Sequence, residues 1–162
     1  MVVLEKFFAA VHEVVEHLPD PRRMFELARA LLSPGGLLCV VAPNDYNPFQ
    51  HVLRTTCAYQ PWWVAPPFHI NYFNFDSLSQ LLVSLGFNIV LREATFPIDI
   101  FLLMGDNYVG NDILGRQCHG KRMRLERNLA VAGLTEVKRQ LYRALAASGI
   151  GREAIVVGKK ED

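Results

Sequence analysis

No stretch of this sequence approaches the ~20 consecutive apolar residues that a membrane-spanning helix requires. The apolar start of the chain is broken by Glu5, Lys6 and His12, lacks a basic flank and leads to no small-residue cleavage site, so a secretory leader is not expected. Cysteine is scarce: Cys39, Cys57 and Cys118 are odd in number, scattered and without CxxC spacing. That excludes a disulfide framework and a zinc knuckle and points to a reducing, cytoplasmic setting. Charge of either sign is not in excess. A formal net charge of +1 gives no global pull toward nucleic acid or a membrane. Repeats, low-complexity tracts and domain linkers are also missing.

What remains is the composition of one soluble globular domain: 51% hydrophobic and 20% charged residues over a 162-residue chain, enough to bury a core. Residues 22–33 place Met24, Leu27, Ala28, Leu31 and Leu32 at helical spacing, with Asp20 as cap and Pro21 at the first helical position. Pro34-Gly35-Gly36 ends that helix, and "LLCVVAP" follows as an apolar run of strand length, the mark of a strand buried on both faces of a parallel sheet. Residues 44–75 carry nine aromatics and four prolines without a period, which predicts a long functional loop or lid. Asp76 is expected to cap a helix that Gly86 closes, and "FNIVLREATF" to form a strand. A turn region at 105–115 precedes two expected helices, 121–132 and 134–147, within an insertion spanning 116–148. "EAIVVGKK" supplies the last strand. In the atypical N-terminal segment, 1–12, Val3, Leu4, Phe7, Phe8 and Val11 follow a helical period, so periodicity alone favours a helix there.

The series "EVVEHLPDP", a helix, "LLSPGGLLCVVAPN" and "HINYFNFDSLSQLLVSLGF" resembles the C-terminal part of class I S-adenosylmethionine-dependent methyltransferases of the type-11/type-23 kind, from about Glu13 to Thr95 and again at the terminal strand. A further segment, "GDNYVGNDILGRQCHGKR", is similar to C-terminal segments of such enzymes found near sugar and polysaccharide gene clusters. The resemblance implies an α/β, partial doubly wound (Rossmann-like) sheet, mostly parallel with an antiparallel last strand, and helices on both faces. It places 7–11, 37–42, 87–95 and 153–158 on the family's fourth to seventh strands. In that family a glycine-rich loop lies beneath the cofactor, because glycine lets the backbone approach a ligand. This chain has no such loop. The resemblance therefore implies a truncated domain over 1–162, whose exposed strand edge calls for cover by self-association or a partner.

Methyl transfer is a displacement at a sulfonium methyl, so the protein positions the acceptor and removes its proton. Glu13, Glu16 and His17 stand at i, i+3 and i+4, which brings them to one face of a helical turn. Two carboxylates and an imidazole suit a divalent metal. E-x-x-E-H resembles the metal-binding segment of ubiquinone-pathway O-methyltransferases and small-RNA 2′-O-methyltransferases, with His69 as the later histidine. The competing reading is a solvated face of Glu13 and Glu16, with His17 holding a turn. By the same resemblance Glu16 and His17 would also approach S-adenosylmethionine. His69 is a candidate catalytic base, since its resting pKa lies near neutrality. Trp62, Trp63 and Tyr72 could wall an acceptor pocket, or pack the loop down. Asn44 follows a strand at the end where open α/β sheets bind ligands, and is a substrate-binding candidate or a turn asparagine. Eight Lys/Arg between 116 and 143 face only Glu126 and Glu136, yet lack interleaved aromatics, so they read as a solvated helix face and not as a nucleic-acid surface.

Two functions fit. One is a methyltransferase acting on a hydroxyl or amine of a small molecule such as a sugar, lipid or quinone precursor. The other is a non-catalytic homologue stabilised as a dimer or completed by a partner that carries the cofactor half.

Overall fold

The computed structural model describes residues 6–161. Strand β1 (Lys6–His12) leads through a single 3-10 turn (Val15–His17) to helix α1 (Pro21–Leu31) and strand β2 (Leu32–Pro43). Helices α2 (Pro48–Thr55) and α3 (Phe75–Ser84) precede strand β3 (Phe87–Ala94). Helices α4 (Asp99–Leu103), α5 (Asp112–Val131) and α6 (Thr135–Ala147) then lead to strand β4 (Glu153–Lys160).

The strands form one sheet in the order β1-β2-β4-β3. β1 and β2 are parallel, whereas β4 runs antiparallel to both β2 and β3. Since β4 opposes both neighbours, β1, β2 and β3 share one direction, as a doubly wound sheet demands. The pairings themselves are mostly antiparallel, which corrects the expectation of a mostly parallel sheet. The cause is β4's position: it arrives from α6 beside the carboxyl ends of β2 and β3, and from there it can only run back between them.

Local chemistry sets the elements. Asp20 accepts the Arg23 N–H at 2.9 Å and Pro21 opens α1. Lys160 Nζ donates to the carbonyls of Arg29 (3.0 Å) and Leu32 (2.7 Å), satisfying the end of α1. The helix passes directly into β2, whose Pro34-Gly35-Gly36 bulges: Lys6 pairs with Leu32 but Phe8 with Leu37, and Gly35 takes φ +72°. Asn74, not Asp76, caps α3, in a reciprocal box with Ser77.

Alternate residues of the sheet face two layers. Leu38, Val40, Ala154, Val156 and Phe87 are buried in one core with Phe25 of α1 and Phe75, Leu78 and Leu82 of α3. Arg92 belongs to this face, pairing with Asp76 at 2.8 Å. Its neighbour Glu93 therefore points to the other face, where it holds Arg139 (3.4 Å) and Arg143 (3.2 Å) of α6.

Segment 6–12 is a strand, not the helix its periodicity favoured. Ala9 and Val11 pack on the core while Ala10 and His12 are exposed, a period of two imposed by pairing with β2. Val3 and Leu4 lie outside the described residues. The 44–75 loop contains α2, capped by Asn47 with Gln50 completing a capping box. α5 starts at Asp112, under the Asn111 cap, within the stretch expected to be turn.

Gly158 pairs with Ile89 of β3, and an added Cβ there would fall 2.9 Å from Phe87 Cβ. Gly158→Ala is expected to destabilise the fold by about 1–3 kcal/mol through overpacking. Urea denaturation measures this, and an unchanged midpoint would contradict the packing described.

Candidate active site

A cleft opens at the carboxyl ends of β1 and β2, beside the start of β4. It is a cavity of about 200 Å³ whose lining includes Glu13, Asp45, Trp62, Trp63, His69, Asp99, Arg152 and Glu153. Its floor is fixed by backbone hydrogen bonds: Glu13 N donates to Val41 O (2.9 Å), Asn44 N to Arg152 O (2.9 Å) and Asp45 N to Phe73 O (2.7 Å). Asn47 accepts the Phe49 and Gln50 N–H groups with its side-chain oxygen. Its Nδ2 donates to Asn44 O (2.9 Å) and to Asp99 Oδ2 (3.3 Å). Tyr108 OH donates to Asp99 Oδ1 at 3.3 Å. Asp99, buried at the start of α4, is thus held by neutral donors only.

Asp45 is 4% exposed and its Oδ2 has no hydrogen-bond partner. Burial, then repulsion from Glu16 and Asp99, pushes its carboxyl up to about 7, against the opposing pull of Arg152. Burial likewise raises Asp99, although its bonds from Asn47 and Tyr108 favour the charged form. Glu153 is raised by burial and by neighbouring Glu13.

Beside this cleft Glu16, His17 and His69 bring one ligand atom each to within 4.8 Å of one another. Glu16 is 2% exposed, its Oε1 lies 3.6 Å from His17 Nε2, and its Oε2 is unpartnered. His17 Nδ1 lies 2.6 Å from Phe68 O, which can only accept, so Nδ1 carries the proton. Nε2 is thereby turned toward the Glu16 carboxylate, where a shared cation would join the two. His69 packs edge to face on His17 with centroids 4.9 Å apart, and its Nδ1 is buried without a partner.

The expected site residues divide accordingly. Glu16, His17 and His69 converge; Glu13 does not join them and sits instead with Glu153 on the cleft. Trp62 and Trp63 line the cleft, 4.9 Å apart edge to face. Tyr72 OH donates to His69 O (3.1 Å) and accepts the Ala65 N–H (3.3 Å), tying down the loop. Asn44 Nδ2 is spent on the carbonyls of Gly149 (2.9 Å) and Gly151 (3.1 Å), joining β2 to the turn before β4. Asp45, Asp99, Arg152 and Glu153 escaped the sequence reading. For Asp45 a signal existed, an acid two residues past a buried strand; Asp99 reaches the cleft only through the tertiary fold. In the α5–α6 region, Lys121, Arg122, Lys138, Arg139 and Arg143 are all paired with acidic side chains.

The methyltransferase domain family model matches residues 8–92, more than half of the chain. The chain therefore belongs to that family: it is a class I S-adenosylmethionine-dependent methyltransferase family protein. None of the curated proteins matches the sequence. Among solved structures it is similar to a SAM dependent methyltransferase from Archaeoglobus fulgidus (TM-score 0.52, 14% identity), covering 96% of this chain and 60% of that one. It is also similar to a chain in a complex of the Trm112 methyltransferase activator from Haloferax volcanii (TM-score 0.53, 14% identity), covering 98% of this chain and 55% of that one. This chain thus spans little more than half the length of these structures, and the likeness at this identity is one of fold. No helix of the described residues is long and apolar enough to cross a membrane.

The raised Asp45 carboxyl has a signed consequence for stability. Between its ordinary 3.8 and about 7 the folded protein keeps a proton that the unfolded chain has released. Stability therefore falls as pH rises through this window and levels off above it. Asp45→Asn is expected to flatten that fall and to be more stable than the parent at pH 8, on the order of 2 kcal/mol. Melting temperatures of both proteins across pH 4–9 test this, and parallel curves would refute it.

Proposed function

We propose that this chain provides the acceptor side of S-adenosylmethionine-dependent methyl transfer to a hydroxyl or amine of a small molecule. The observation that carries the reading is Asp45, a buried carboxylate with a free oxygen at the carboxyl end of β2, facing a cleft in a chain of this family. A base with a pKa of about 7 is matched to taking a proton from an acceptor near neutrality. Trp62 and Trp63 orient the acceptor and exclude water. His69 is a second candidate to hold a proton. The donor, when bound, supplies an electrophilic methyl. The glycine-rich turn that would carry its nucleoside has no counterpart in this sequence, and Glu16 and His17 are turned into the His69 cluster. The residues here do not form that part of the site.

Glu16, His17 and His69 fit a divalent cation: a carboxylate and two imidazoles, two of the three with a buried unpartnered atom, and one ring oriented through Phe68 O. These three residues would hold it, and a cation there would supply Lewis acidity toward an acceptor oxygen.

A second reading, a homologue without catalysis, is favoured by the outer edge of β1, which pairs with no strand among the described residues.

Label transfer from S-adenosylmethionine to small hydroxyl and amine acceptors tests the proposal. The rate is expected to drop by about 10²–10⁴-fold in Asp45→Asn. No transfer, together with no thermal stabilisation by millimolar S-adenosylhomocysteine, would leave the second reading. For the cation, Mg²⁺, Mn²⁺ or Zn²⁺ is expected to raise the melting temperature of the parent and not of Glu16→Ala. An unmoved parent curve would dispose of the ligand set.

A further inference from the structure

We infer that the cleft is built for a small cationic amine, with the ammonium seated between the Asp45 and Asp99 carboxylates and the Trp62–Trp63 wall. This rests on the acceptor-side reading above and narrows it from a hydroxyl or amine to an amine.

Charge is the first argument. Glu13, Asp45, Asp99 and Glu153 all line the cavity, against one guanidinium, Arg152. Arg152 is exposed and so screened by water, whereas Asp45 and Asp99 are each 4% exposed. Asp45 Oδ2 meets no donor, and Asp99 meets only the neutral Asn47 amide and Tyr108 hydroxyl. Buried carboxylates are costly unless a cation faces them. A neutral hydroxyl could donate one hydrogen bond to Asp45 but would leave the charge imbalance in place.

The wall is the second argument. Trp62 and Trp63 lie on the cleft and are locked edge to face with Tyr59 and Tyr46, at centroid distances of 5.7 and 5.8 Å. Such a framework, beside carboxylates, attracts ammonium groups by the ring quadrupole. The cavity of about 200 Å³ lies below the ~300–1,000 Å³ usual for ligand sites, which limits the occupant to a few heavy atoms. A divalent cation is not the better occupant of this place, because the convergent ligand set is Glu16, His17 and His69, without Asp45 or Asp99.

Tetramethylammonium and tert-butanol share a shape and differ in charge, and tetramethylammonium has no lone pair with which to ligate a metal. Each is titrated into the protein at pH 8 with EDTA and constant ionic strength, read by tryptophan fluorescence. Trp62 and Trp63 are the only tryptophans, so the signal reports the wall itself. Saturable tetramethylammonium binding at least about tenfold tighter than tert-butanol is expected, with a comparable loss in Asp45→Asn and in Asp99→Asn. Equal binding of the two ligands, or no saturable tetramethylammonium binding, overturns the inference, and this wild-type comparison decides even if neither variant folds. The two readings fail separately. Methyl transfer to a hydroxyl acceptor without amine binding sinks the amine assignment alone. Amine binding in a protein with no methyl transfer and no response to S-adenosylhomocysteine upholds the amine site and sinks the methyl-transfer reading.

Discussion

The insertion of β4 between β2 and β3 is the constraint on which the rest of the structure hangs. Among the described residues β3 pairs with β4 alone, so β4 is the strand that joins β3, and the α3 and α6 helices packed on it, to the β2 ladder. The ladder is tight enough that Gly158 cannot carry a side chain against Phe87. The same strand begins at the cleft: Arg152 O accepts the Asn44 N–H, Glu153 lines the cavity, and the turn before it offers the Gly149 and Gly151 carbonyls that hold the Asn44 side chain. One strand therefore closes the sheet and sets the walls of the site.

This explains which parts of the molecule were legible in the residues. β2 and β4 announce themselves as apolar runs because both are interior strands. α1 shows its cap and apolar stripe because those features are local, whereas the cap of α3 was read two residues late, at Asp76 in place of Asn74. β1 misled because its apolar residues satisfy two periods, and the choice between them is made by hydrogen bonds to β2, which no local pattern encodes. α2 was hidden for another reason. Its Asn47-Pro48 start reads equally as a turn, and only the reciprocal bonds with Gln50 show it as a helix cap.

The site divides along the same line. Glu16 and His17 could be grouped from sequence because the turn at 15–17 is local, whereas His69 joined them only through the family resemblance, since the return of the 44–75 segment that brings it there is a long-range step. Asp45 and Asp99 could not. Their chemistry comes from burial and mutual repulsion, and neither is a property of a residue's neighbours in the chain. Glu13 was miscast because i, i+3, i+4 spacing presumes a continuing helix, whereas Glu13 adopts φ +48° and leaves the turn to begin two residues later.

Two buried carboxylates within one small cleft, Asp45 and Asp99, weaken the fold that holds them, and a domain selected for stability alone would replace them. The apolar core of α1, α3 and the inner sheet face does not need them, since Phe25, Leu38, Val40, Phe75, Leu78, Leu82, Phe87 and Val156 are buried without their help. Nor do they neutralise the basic helices, which find their acids in Asp106, Glu126 and Glu93. Acids that serve neither packing nor charge balance, and that cluster where open α/β sheets bind ligands, are strained in the free protein. A positively charged occupant relieves that strain, so part of its binding energy is already stored in the fold.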